Sequence, residues 1–448
     1  MFLLPRFRTA LALALVAQIV TASFSCGQVL THGPVVGGVT DSDAKIFART
    51  DRAASIVLHY SIFPDLSHYQ TSQPVITSST SDFTAVISLA NLTPQTTYYL
   101  NVVVNGVLQV ISPVPSFATF PAKKSSEDFS FVVLTDFVDT YKLTSSVQTF
   151  ARAAATNPAF AFIGGDFDHR EPLTLDQKRQ MFKDLYDANT PFMGDFVNLI
   201  LRKMAIVHQW DDHDSGMNNI DKTYLDWNLD RQVFQEYVPS YRLSAATLGI
   251  WQQFSYAQAD FFVLDCRSQR DPDGDPDNAS KSMLDGNNLG PTGELQWLRA
   301  GLLKSKARWK IIFTSVITNP TTKPTDGWAA FQTEWKGLRD FIWSNNITGV
   351  VFISGDLHLN AIDNGLQAGF PEMCVAQANS DQVGNRCSTG RPGNWSEGYY
   401  NATCSGFGLV TISTNPDQLL LQAADEFGVV QISYAVSAPQ PRIGSTEP

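Results

Sequence analysis

Four short apolar runs in the chain end on carboxylates. Phe129-Ser-Phe-Val-Val-Leu134 leads to Asp136, and Ala159-Phe-Ala-Phe-Ile163 leads through two glycines to Asp166 and then His169. Lys203-Met-Ala-Ile-Val207 leads to Asp211, Asp212, His213 and Asp214, and Gly349-Val-Val-Phe-Ile353 leads to Asp356 and His358. Runs this short and this apolar read as strands buried on both faces; Phe261–Leu264 and Lys310–Phe313 add two more. Helical patterns over 145–155, 176–188, 293–305 and 328–344 alternate with them. The alternation predicts a layered α/β domain, in which ligands collect beyond the carboxyl ends of the strands.

One Asp at a strand end commonly caps a turn or a helix. Four such ends, carrying three of the seven histidines, are hard to attribute to turns. Gathered at one edge, they would form a cluster of negative charge that cannot stay folded unneutralised. A pair of divalent or trivalent cations is the natural partner. Carboxylate and imidazole donors suit Fe, Zn, Mn, Mg or Ca to differing degrees.

Composition narrows the partners. The chain has 448 residues, 44% hydrophobic and 17% charged, with a formal net charge of −11. That charge disfavours sequence-specific nucleic-acid binding, which needs a basic face. It allows a small phosphorylated substrate, because a metal supplies local positive charge. Arg6 and Arg8 followed by the apolar run Leu11–Val20 predict a signal peptide over residues 1–25 and a secreted protein. The run is too short for a stable membrane span. Five sequons, at Asn91, Asn278, Asn346, Asn394 and Asn401, suit a secreted glycoprotein. Cys374, Cys387 and Cys404 cluster in a loop rich in Gly, Asn and Ser, where a disulfide is expected; Cys26 and Cys266 stand apart. The expected oligomeric state is a monomer.

Residues 30–120 read as a small β-sandwich. Alternating strands at 44–50, 55–60 and 84–89 precede the stretch Leu92-Thr-Pro-Gln-Thr-Thr-Tyr98. This matches the L-x-P-x-T-x-Y stretch of fibronectin type III sandwiches, whose Tyr hydroxyl ties a corner to backbone. The polar segment Pro121–Asp128 reads as a linker, and 128–436 as the domain bearing the carboxylates.

Taken in order, the blocks GPVVGGVTDSDAKIFART, GGDF, WDDHDSGMNN, FFVLDCRSQR, LQWLRAGLLKSKARWKIIFTS, SGDLH and GFGLVTI resemble the PhoD-like (alkaline phosphatase D) family of the calcineurin-like metallophosphoesterases. The resemblance implies a sandwich of two sheets flanked by helices, behind the fibronectin-III-like domain. It implies a dinuclear centre hydrolysing phosphate monoesters or diesters by in-line attack of a metal-bridging hydroxide. Asp166 would bridge the metals. Asp136, Asp356 and His358 would bind the first, and Asp212, where the superfamily usually has Asn, the second. His213 would be the acid or transition-state stabiliser. Asn218 or Asn219 would complete the second site or touch phosphate, and Arg267 and Arg270 would face phosphate. Where the family often has Cys, Asp136 or Asp139 is available; where it often has Tyr, His169 stands, as a ligand or as a loop cap. Tyrosinate and thiolate favour ferric iron, so their absence puts Zn, Mn, Mg and Ca beside Fe.

Plainer readings accompany these. Arg267 could instead make a salt bridge to the acidic cluster. His208, inside an apolar run, reads as a core residue, and Asp271–Asn278 as a solvated loop rather than a calcium loop. Two other functions are open: a catalytically weak extracellular binding protein on the same scaffold, and a purple-acid-type phosphatase. The latter lacks its late G-H-x-H here, since Asp356 fills the first His place.

Overall fold

Along the strand Phe129–Leu134, side chains alternate between two hydrophobic cores. Phe131 and Val133 face one, and Val132 and Leu134 the other. The strand Trp309–Phe313 does the same, with Ile311 and Phe313 on one side and Ile312 on the other. Period-two alternation in strands apolar on both faces requires cover on both faces. The computed structural model supplies it, and describes residues 29–380, 392–402 and 405–438.

Two sheets pack face to face. The first has nine strands, in the order Val430–Ser437, Asp417–Asp425, Gly406–Thr414, Phe129–Leu134, Phe160–Gly164, Ala205–Gln209, Leu30–Gly37, Ala44–Thr50 and Thr84–Leu89. The second has seven: Gln252–Tyr256, Ala259–Val263, Trp309–Phe313, Val350–Ser354, Pro371–Cys374, Asn360–Asn364 and Tyr399–Tyr400. Aromatic rings fill the space between them: the centroids of Phe162 and Phe313 are 3.6 Å apart and those of Phe131 and Phe160 are 4.8 Å apart. Helices Thr149–Ala155, Leu175–Tyr186 and Trp227–Tyr237 cover the outer face of the first sheet. Glu294–Lys304 and Gln332–Ser344 cover the second. The expected layered α/β architecture is present, as a mixed α/β fold with three sheets and few helices.

The third sheet, of six strands, is built from residues 55–118. It faces the strands Leu30–Gly37, Ala44–Thr50 and Thr84–Leu89, and Ile56, Leu58, Leu100 and Val102 join Ile46 and Ile87 in one core. The Tyr98 hydroxyl accepts the Thr93 amide at 2.9 Å. This front sandwich is not set apart from the rest. Leu30–Gly37 pairs in parallel with Ala205–Gln209, Gly37 opposite Ile206, so one sheet runs through both parts. A polar stretch between two strands does not reveal that they share a sheet, because pairing is a long-range event. The signal segment, Cys26, Cys387 and Cys404 lie outside the described residues. Cys374 is described and free, so the disulfide expected in its cluster does not involve it; its Sγ is buried and donates to the Gly355 carbonyl at 3.3 Å.

Candidate metal centre

The strands Phe129–Leu134, Phe160–Gly164 and Ala205–Gln209 are parallel neighbours, so their carboxyl ends open on one edge. Val350–Ser354, in the facing sheet, brings its end to the same place: the Asp356 amide donates to both Asp136 oxygens, at 3.0 and 3.2 Å. Three of the aspartates leave their strands in the left-handed conformation, with φ of +53° at Asp136, +47° at Asp166 and +66° at Asp356. His358 does so too, at +55°. Such backbone costs a non-glycine residue about 1–3 kcal/mol and persists only where its surroundings hold it. Here the loops hold each other. The Asp136 amide donates to the Gly165 carbonyl at 3.1 Å, and the Phe137 amide to the Asp166 carbonyl at 2.6 Å. Glycine before the carboxylate makes room: a Cβ at Gly165 would stand 2.9 Å from the Asp211 Cβ.

Among the described residues three groups of donor atoms result, each lying within 4.8 Å: Asp166, His169 and His358; Asp166, Asp212 and His213; Asp166, Asp211 and Asp356. Asp166 belongs to all three, the position expected of a shared ligand. The groups do not include Asp136, but its Oδ1 is 3.5 Å from His358 Nε2. Asp139 turns away and pairs with Lys142.

The chemistry of the donors fits cations. His169 Nδ1 lies 2.7 Å from the Phe137 carbonyl, which can only accept, so Nδ1 bears the proton and Nε2 keeps its lone pair. That Nε2 is buried without a hydrogen-bond partner, as is Asp356 Oδ2. Burial lowers the pKa of His169 to about 4, helped by the charge of His213. Burial lowers His358 to about 3, helped by His169 and Lys323. Both rings are therefore neutral, the form that ligates. Burial pushes Asp166 well above the usual carboxylate range, and Asp212, Asp211 and Asp136 push it further. Burial likewise raises Asp356 and Asp136. Asp212 is the exception: burial opposes it, but Arg267 holds its carboxyl below the ordinary value. Unbalanced anions of this kind call for positive charge from outside the chain.

Arg267 is not where a phosphate contact needs it. It is 0% exposed, and its guanidinium pairs with Asp211, with Asp326 at 2.8 Å and with Asp212 at 3.5 Å. This is the salt bridge of the plainer reading, and it corrects the substrate-binding role. Arg270 is buried as well, on Asp273 and Asp326. Asn219 does border the centre: its amide donates to Asp212 Oδ2 at 2.5 Å, and its side chain accepts from Asn218 at 2.9 Å. His213 stands at the rim with Nδ1 3.4 Å from Glu171, its ring centroid 4.6 Å from that of His169. His208 packs edge-on against Phe167 in the core, as expected.

Asp326 and Lys323 are neighbours that the motifs did not single out. Asp211 is one of the strand-end carboxylates of the sequence but carries no role in the resemblance. Lys323 and Asp326 come from a loop, TTKPTDGW, with no recognisable pattern.

A layered sandwich with buried carboxylates and neutral imidazoles converging at its strand ends defines a class of candidate metal-site proteins. The PhoD-like phosphatase family model matches residues 168–435, more than half of the chain, and the chain belongs to that family. It is 25% identical over 211 residues to alkaline phosphatase D of Bacillus subtilis; the alignment takes in 41% of this chain and 36%, about a third, of that relative's length. Among solved structures it resembles PhoD, with a TM-score of 0.68, 16% identity and 92% of each chain covered. It also resembles the purple acid phosphatase PPD1 of yellow lupin (Lupinus luteus), with a TM-score of 0.64, 12% identity, and 94% of this chain and 78% of the other covered. At these identities the structural likenesses show the fold.

Proposed function

We propose that the chain is a secreted, metal-dependent phosphoric ester hydrolase with two cations at the centre just described. The convergence of three donor groups on the single carboxylate of Asp166 carries this reading. Asp356, His358, His169 and Asp136 would hold one cation, and Asp212 the other, with Asp166 between them. Bound there, the cations would neutralise the carboxylates and supply Lewis acidity toward a phosphoryl group.

The protein's own groups do the rest. Asp166 and Asp356 are fixed by strained, mutually bonded loops, so no reorganisation is needed when substrate arrives. His213 would hold a proton at an imidazole nitrogen and deliver it to the leaving oxygen, with its Nδ1 3.4 Å from Glu171. Asn219, beside Asp212, would orient a phosphoryl oxygen. Export is supported by the apolar N-terminal run and by the exposure of all five sequon asparagines. Among the described residues no helix is long and apolar enough to cross a membrane.

The test is metal analysis, with parallel assays on an aryl phosphate monoester and an aryl diester, of the wild type and Asp356→Ala. About two metal equivalents and ester hydrolysis in the wild type, both lost in the variant, are expected. Equal activity in the two proteins removes the hydrolase reading.

A further inference from the structure

Among the described residues, two cationic side chains pair directly with the carboxylates of the centre, and they differ in access. Arg267 is 0% exposed. Lys323 pairs with Asp356, and its side chain keeps 31% exposure. Lys323 lies on the connection between the strand Trp309–Phe313 and the helical turn Trp328–Phe331. Its backbone is left-handed, with φ of +41°, an uncommon state for a lysine. The connection is pinned on both sides of it. The Trp328 amide donates to the Ile317 carbonyl at 3.0 Å, and the Thr321 amide to Asn319 Oδ1 at 2.9 Å. Asp326 Oδ2 lies 3.3 Å from the Lys323 ammonium, while Asp326 Oδ1 is held by Arg267 and Arg270 at 2.8 and 3.1 Å. The ammonium is thus held at the edge of the centre by an anchored carboxylate.

An ammonium has three N–H donors, and Asp356 and Asp326 take two. Asp356 gives Lys323 its Oδ1, while its Oδ2 is buried with no hydrogen-bond partner. The same carboxylate therefore offers one oxygen to a cation and the other to Lys323. We propose that Lys323 binds a non-bridging oxygen of the substrate phosphoryl group and makes the chain favour phosphate monoesters over diesters. This rests on the hydrolase reading above. The physical reason is charge: a monoester dianion carries one more negative charge than a diester, and an ammonium acts on it as a compact point charge. Arg267 and Arg270, which share Asp326 with Lys323, are fully buried and cannot take this role.

The experiment compares wild type, Lys323→Met, Lys323→Gln and Lys323→Arg, each checked for fold by thermal melting and for metal content. Rates on an aryl phosphate monoester and the matched diester are measured, together with inorganic phosphate binding by calorimetry. Loss of charge in Lys323→Met or Lys323→Gln should lower monoester kcat/KM by about 10–100-fold, chiefly through KM. Diester kcat/KM should change by less than about threefold, and phosphate should bind about tenfold more weakly. Lys323→Arg should recover most of the monoester rate. Equal losses on both esters, unchanged phosphate binding, or loss of metal in the charge-deleted variants each overturns the proposal; the last would mean that Lys323 acts through Asp356. Should the wild type hydrolyse neither ester, the hydrolase reading fails separately. Phosphate binding that the charge-deleted variants lose would then still support Lys323 as an anion-binding residue, and equal binding would overturn it.

Discussion

Two buried charge clusters meet at Asp211 and Asp212 in this molecule, and they are built on opposite plans. Around Arg267, the fully buried guanidinium is paired with Asp211, Asp326 and Asp212. Around Asp166, the neighbours are other carboxylates and imidazoles, with Lys323 on Asp356, and buried atoms such as His169 Nε2 and Asp356 Oδ2 have no hydrogen-bond partner. A network that closes on itself serves the architecture, while one left open invites a ligand. Burial alone does not separate the two; polar satisfaction does.

Substitution should pull these plans apart. The largest effect is expected at Asp166. Asp166→Ala should cut ester hydrolysis by at least about a thousandfold and abolish tight metal binding, since it removes the donor common to all three groups. Metal analysis and kinetics check this, and activity within tenfold of wild type would break the comparison. Next comes Arg267→Met. Removing one partner of a buried ion network strands the others, so stability should fall by about 3–5 kcal/mol, read by denaturant unfolding with and without metal. A loss seen only in metal-loaded protein would mean that Arg267 belongs to the open cluster after all.

His169→Ala should weaken metal affinity by about 10–100-fold while leaving the fold intact, as followed by competition with a chelator. Affinity equal to wild type would return His169 to the role of loop cap. The smallest effect concerns pH. Burial raises the folded-state pKa of Asp166 and Asp356 above the ordinary value near 3.8, so on raising pH the unfolded chain ionises first. Their contribution therefore destabilises the fold progressively as pH rises above about 4. Metal-stripped protein should melt lower at about pH 7 than at about pH 5, and Asp166→Asn should blunt that slope. In the metal-loaded protein the slope should be absent. A stripped protein whose melting point rises over the same range would contradict the open-cluster picture.

Much of this was legible in the chain itself. Apolar runs buried on both faces announced the layered sandwich, and Asp166, Asp212, His213, Asp356 and His358 were each marked by their place at a strand end. The sequence reading does not include the helix Trp227–Tyr237 or the strands Asp417–Asp425 and Val430–Ser437, although the helix has as clear a buried stripe as Leu175–Tyr186. The sequence leaves Arg267 open between a phosphate contact and a salt bridge, because a guanidinium near a phosphate and one inside a carboxylate network have the same sequence signature.

Local composition thus determined which segments become strands and which residues end them, since burial on two faces and a carboxylate after a glycine are properties of neighbours in the chain. Tertiary structure alone decided the rest: that the front sandwich shares a sheet with the layered domain, that Arg267 closes inward, and that Lys323 reaches Asp356 from a loop without a motif. Pairings between residues distant in sequence depend on how sheets stack and loops cross, and no local pattern encodes them.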